Sequence, residues 1–148
     1  MKSKSILIFA IVAICTLPAV YADTPLYQVR SRDMEIEAFD LTVTETRREE
    51  RTSTLNVPGF HKRSAPGSRW LMCAYTDLAI KRGFKYWAVV YPEPPDENIV
   101  VGFPNSTTEN LVQTLGKTFE SKSLLPTMAV EKFAVFCGMR RPSVKEKN

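Results

Sequence analysis

The sequence predicts an α+β domain: a mostly antiparallel sheet with one main helix, about 69–82, packed on one face and a second short helix at about 107–116. Three observations predict it. Apolar and polar residues alternate from Met34 to Thr46, apolar residues recur every three or four positions from Arg69 to Arg82, and two apolar runs, Phe84–Tyr91 and Ile99–Phe103, are separated only by a short Pro-rich turn. A period of two marks a strand and a period of 3.6 a helix. Strands grouped on either side of a helix, without regular strand–helix alternation, favour an antiparallel sheet over a parallel one.

The first 22 residues stand apart from this domain. Lys2 and Lys4 precede an apolar run from Ile6 to Leu17, and Pro18 and Ala22 follow, which is the order of parts in a cleavable export signal. The run is about a dozen residues long, whereas a permanent bilayer span needs about 20. Cleavage after Ala22 is expected, leaving residues 23–148 as one domain with a frayed polar tail from Arg140 and no membrane-spanning segment. A rival reading makes Cys15 a lipidated first residue. Ile14 stands where a small residue is wanted, so periplasmic or extracellular release is favoured over anchoring. Removing Lys2 and Lys4 leaves 18 basic against 16 acidic side chains, a charge of +2, with no basic face of the kind that binds nucleic acid.

Within the mature region, Phe39, Leu41 and Val43 alternate with Asp40, Thr42 and Thr44, so Met34–Thr46 is expected to be a half-buried strand. Arg47–Arg51 is a charged run and Thr52–Val57 is again extended. The two form a hairpin with a solvated tip, where exposed ion pairs contribute only about 0–1 kcal/mol. Pro58-Gly59 and Ser64–Gly67 read as a loop, with Ser68 capping the main helix and Gly83 ending it. Leu71, Ala74, Tyr75 and Leu78 form the core stripe. Cys73 lies nearly opposite them. Phe84–Tyr91, apolar on both faces, is expected to be a central strand, antiparallel to Ile99–Phe103. Leu111, Val112 and Leu115 mark the short second helix, and Thr127–Cys137, with Val130, Phe133, Val135 and Phe136, is read as a buried last strand.

Cys73 and Cys137 are the cysteines left after the signal, and an even count in an exported chain predicts a disulfide between them. The bond would tie a second element to the back of the main helix. Buried free thiols are the alternative.

The block from Cys73 to Val90, with Ala74, Leu78 and Ala79 on a helix, then Gly83, Phe84 and a hydrophobic strand, resembles one found in small uncharacterised bacterial exported proteins and lipoproteins. The resemblance implies an envelope location and this kind of fold. It implies no reaction.

The chemistry-bearing residues are sparse. His61 is the one histidine, set in a loop with Lys62 and Arg63, and neither Ser64 nor Ser68 sits in a nucleophile elbow. Glu35 and Glu37 would share a strand face, a placement that suits solvation as readily as acid–base work. Isolated glycines give no phosphate loop, and no ligand spacing for a metal appears, so no cofactor is expected. Asn105-Ser106-Thr107 matches a glycosylation sequon, relevant in a eukaryotic secretory pathway. Trp87 and Tyr91, beside Arg69 and Lys85, are read as a contact surface for a protein or glycan. The expected function is that of an exported, non-enzymatic protein binding another protein or an envelope component, through a sheet edge or the Trp87 region. The competing readings are a small secreted hydrolase using carboxylates or His61, and an inhibitor of a secreted enzyme presenting the Phe60–Ser68 loop.

Overall fold

The structure, a computed structural model, describes residues 26–139. The segment read as an export signal, Cys15 and the tail from Arg140 lie outside them. Six strands, β1 (Gln28–Arg30), β2 (Thr42–Arg48), β3 (Thr52–Asn56), β4 (Tyr86–Val90), β5 (Asn98–Gly102) and β6 (Met128–Ala129), form one antiparallel sheet in the order β1-β2-β3-β5-β4-β6. The main helix α1 (Ala65–Lys81) covers one face, and the short helices α2 (Leu111–Leu115) and α3 (Val130–Phe136) complete the α+β architecture.

Side-chain alternation divides the sheet into two unlike faces. Val43, Leu55, Trp87, Val89, Ile99 and Val101 point toward α1, where Leu71, Tyr75, Leu78 and Ala79 meet them with no exposure to solvent. On the far side, Ala88 and Val90 pack under Leu111 and Phe119 of α2 and the turn that follows it. The contact there is close because residue 102 is glycine: an added Cβ would lie 2.6 Å from Leu115 Cδ1. Burying apolar surface on both sides stabilises β4 and β5 by about 25 cal/mol per Å² removed from water. Their apolar runs follow from that position.

Helix α1 begins earlier than the sequence suggests. Ser64, not Ser68, is the cap, its Oγ accepting from the Gly67 N–H at 3.2 Å, and Pro66 fits the first turn, where no intrahelical donor is lost. Gly67 leaves room for Leu41, whose Cδ1 would stand 3.1 Å from a Cβ there.

The expected strand from Met34 is also shorter. It starts at Thr42, because Ser31 closes off the preceding residues: the Ser31 hydroxyl donates to Phe39 O and accepts from Leu41 N–H, each at 3.0 Å, while Ser31 O accepts from Met34 and Ile36 N–H. Residues 32–40 become a loop around a 3-10 turn, Arg32–Met34. In burial the alternation runs from Phe39 to Glu45, although the paired strand begins only at Thr42.

At the other end, Thr127–Cys137 is a two-residue strand followed by a helix. Val130, Phe133, Ala134 and Cys137 share the inward side of α3, a spacing of three and four residues that suits a helix better than a strand. Phe133 meets the Trp87 ring edge-on at 5.5 Å, and Cys137 is bonded to Cys73 across α1, with Cα atoms 5.7 Å apart. The disulfide therefore ties α3 to the back of α1, the first of the two readings of Cys73 and Cys137.

Candidate functional site

The contact surface expected around Trp87 is not formed. Trp87 has no solvent exposure; it is enclosed by Tyr75 and Phe133, and its indole N–H donates to Thr76 Oγ1 at 3.0 Å. A two-sided strand roofed by both α1 and α3 has no outer face at that point. Tyr91 is half-buried against Phe60, with ring centroids 4.9 Å apart. Arg69 and Lys85 are exposed, but Arg69 lies in the second turn of α1 and Lys85 beyond its far end, with the Arg69–Lys81 stretch of helix, about 18 Å at 1.5 Å per residue, in between.

The Phe60–Ser68 segment does not project. Phe60 is buried, Phe60–Lys62 is a 3-10 turn, and Ser64 opens α1. The Arg63 guanidinium lies over Phe60 at 3.7 Å. His61 is exposed, with Nε2 2.7 Å from Asp96 O. Ser64 Oγ is engaged in the helix cap, and Ser68 Oγ donates to Ser64 O. These groups serve the start of the helix and converge on no common point.

The charged hairpin tip, expected to be wholly solvated, is partly folded inward. Glu45 is buried, accepting from Ser53 Oγ at 2.6 Å, from Tyr27 N–H at 2.9 Å and from Arg48 Nε at 3.0 Å. Burial by itself pushes the Glu45 carboxyl up, but the hydrogen bonds from Arg48, Ser53 and the Tyr27 amide together hold it below its ordinary value. Arg82 donates to Thr52 O and Ser53 Oγ at 2.9 and 2.8 Å, and also to Glu49 O and Glu50 O, so one side chain gathers the carbonyls of the turn. Arg51 reaches Glu109 at 2.8 Å and Phe103 O at 3.1 Å. A bulge between Glu45 and Arg47 makes this possible by placing Arg48, with Glu45 and Ser53, on the inner face. These bonds tie β2 to β3 and the hairpin to α1 and to the segment around Glu109, which makes the cluster structural.

A different region combines unpaired backbone with exposed apolar side chains. β1 is a terminal strand. Glu45 N–H donates to Tyr27 O and Ser31 N–H to Leu41 O, so the Tyr27 carbonyl, the Ser31 amide and, between them in the antiparallel register, both backbone groups of Val29 face β2. Those of Gln28 and Arg30 must then face outward, and among the described residues nothing pairs with them. Leu26 and Met34, 50% and 55% exposed, bracket the strand. Tyr27 anchors its start: the ring is buried under Lys81 Nζ at 5.0 Å, and burial first, then the Asp77 carboxylate, push its phenol well up.

The loop after β1 lines an open depression of about 750 Å³ formed by Arg32, Glu35, Ile36, Glu37, Phe39 and Asp40. Glu35 and Glu37 thus sit on a loop rather than a strand face, Glu35 in the left-handed conformation (φ 58°) that ends the 3-10 turn. Arg32 Nε is 3.1 Å from Asp40 Oδ2. A second, smaller hollow of about 350 Å³ on the other side of Phe39 and Asp40 is lined also by Lys62, Arg63 and Ser64. Phe39 rests on Trp70, and the Trp70 indole N–H donates to Met34 Sδ. Sequence reasoning named Glu35, Glu37 and a sheet edge, but not β1 or the loop around them, because those depend on which strand ends the sheet. The one legible signal was Ser31, a small hydroxyl ahead of an alternating run.

No group of three His, Cys, Asp or Glu side chains suited to a metal ion occurs among the described residues, and none of their helices is long and apolar enough to cross a membrane. Comparison of the chain with family models, with curated proteins and with solved structures gives no match.

Proposed function

We propose that the chain is an exported, non-enzymatic protein that binds another protein by adding a strand to the open edge of β1. The observation that carries this reading is the outward-facing backbone of Gln28 and Arg30, bracketed by exposed Leu26 and Met34 beside an open depression. An unpaired edge offers ladder hydrogen bonds to an extended segment, and neighbouring hollows receive its alternate side chains. The opposite edge is less accommodating. Along β4, Leu125 N–H donates to Val89 O and Tyr91 N–H to Ser123 O, so the 123–130 segment, interrupted by Pro126, already occupies it.

Export is supported by the signal-like first 22 residues, by the resemblance of the Cys73–Val90 block to bacterial envelope proteins, and by the Cys73–Cys137 disulfide, a bond that persists in oxidising compartments. The test is crosslinking from the native envelope with the wild type and with Arg30→Pro. Proline deletes an outward donor without touching the β2 ladder. We expect the variant to keep its melting temperature within a few degrees and to lose the crosslinked partner. Equal capture by both proteins, or turnover of a substrate with no partner, overturns the reading.

A further inference from the structure

We propose that Met34 is an oxidation-sensitive latch, a modification site for hydroperoxides that holds the 32–40 loop onto α1. Met34 is 55% exposed, yet its Sδ accepts a hydrogen bond from Nε1 of Trp70 at 3.3 Å, and Trp70 is itself only 7% exposed. A reactive, accessible sulfur is therefore the acceptor that satisfies a buried donor. The other methionines of the described residues, Met72, Met128 and Met139, are only partly exposed, the first two packed against the core. Phe39 touches the same Trp70 ring, with centroids 6.0 Å apart. Between these two points the loop has no regular structure after the turn, and Ser31 fixes its base.

The reaction is a two-electron oxygen transfer. The thioether sulfur attacks the distal oxygen of a hydroperoxide, a sulfur–oxygen bond forms, the oxygen–oxygen bond breaks, and the leaving oxygen takes up the proton to depart as water or an alcohol. The sulfoxide oxygen is a stronger acceptor than sulfur but extends beyond it. For Trp70 to donate to that oxygen, the sulfur must retreat from the indole, and the Arg32–Met34 turn lifts with it. Ile36 and Phe39, which line the depression, follow. The consequence for a partner at β1 rests on the reading above; the latch does not.

The test uses the folded, disulfide-bonded chain titrated with hydrogen peroxide. Peptide mapping is expected to show Met34 gaining one oxygen at least about fivefold faster than Met72 or Met128. The indole N–H resonance of Trp70, assigned by its loss in Trp70→Phe, should move in step with Met34 oxidation, while that of Trp87, bonded to Thr76, stays in place. Methionine sulfoxide reductase should restore it, and Met34→Leu should show no movement at all. Oxidation of Met72 or Met128 at the same rate, or a stationary Trp70 resonance at full Met34 oxidation, overturns the proposal. Both readouts are taken on the free protein, so they fail separately from the strand-addition reading, which fails on Arg30→Pro.

Discussion

Glu45 shows how a strand position can bury a charge. In sequence it falls inside the expected strand Met34–Thr46, two residues beyond Val43 on the same side; in the fold it is 1% exposed and bound by Arg48, Ser53 and the Tyr27 amide. Removing one partner of a buried, hydrogen-bonded charge leaves the rest unpaired, which costs about 3–5 kcal/mol. Glu45→Ala should therefore destabilise the domain by about that amount, read from urea unfolding at neutral pH. The pH dependence has a definite sign. Because the folded carboxyl titrates below its unfolded value, its stabilisation is present above the ordinary carboxylate range and is lost as pH falls through the lower folded value. Wild-type stability measured down that range should fall more steeply than that of Glu45→Gln. Ser31 acts with equal economy: its hydroxyl bonds Phe39 O and Leu41 N–H where the β1–β2 pairing ends and so closes the loop between them, and Ser31→Ala should loosen amide exchange in residues 32–41 more than elsewhere.

Among the elements, α3 depends most on a covalent tie. It has seven residues and no side-chain cap, and it leaves Val135 and Phe136 more than 60% exposed. An isolated helix of that length is unstable in water, so packing and the disulfide hold it. The bond closes a separation of 64 residues, for which chain entropy gives about 4 kcal/mol. The Cys73→Ala/Cys137→Ala pair should lose roughly that much stability, with loss of protection concentrated in α3. The second layer depends instead on a missing side chain. Gly102→Ala drives a Cβ into Leu115 and Phe119, and overpacking of this kind costs about 1–3 kcal/mol. Thermal unfolding should show that loss, with α2 exchanging earlier than α1. The helix stripe of α1, the apolar runs of β4 and β5 and the β2–β3 hairpin were all legible because each obeys one period over several residues. The helix α3 was misread as a strand because its inward residues are themselves good strand formers, and the three-and-four spacing from Val130 to Cys137 is the cue that separates the two.

For the whole molecule, the strands β4 and β5 contribute to both packed layers, so neither layer has a sheet of its own. Unfolding is expected to be a single transition, with coincident far-UV and near-UV curves in urea. Separate midpoints would show that the α2 layer melts alone. Periodicity and the position of one glycine after a helix determined the α+β class, the main helix and the antiparallel pairing of β4 with β5, since these depend on neighbours along the chain, while the cysteine count made the Cys73–Cys137 bond one of two readings. The tertiary structure alone decided that β5 inserts between β3 and β4, that β1 is left at an open edge, that Trp87 is sealed under α3 and that Glu45 meets Arg48, Ser53 and the Tyr27 amide. Each of those outcomes depends on which distant segments meet, and the free energy of burial is assigned by that meeting rather than by the residue's own character.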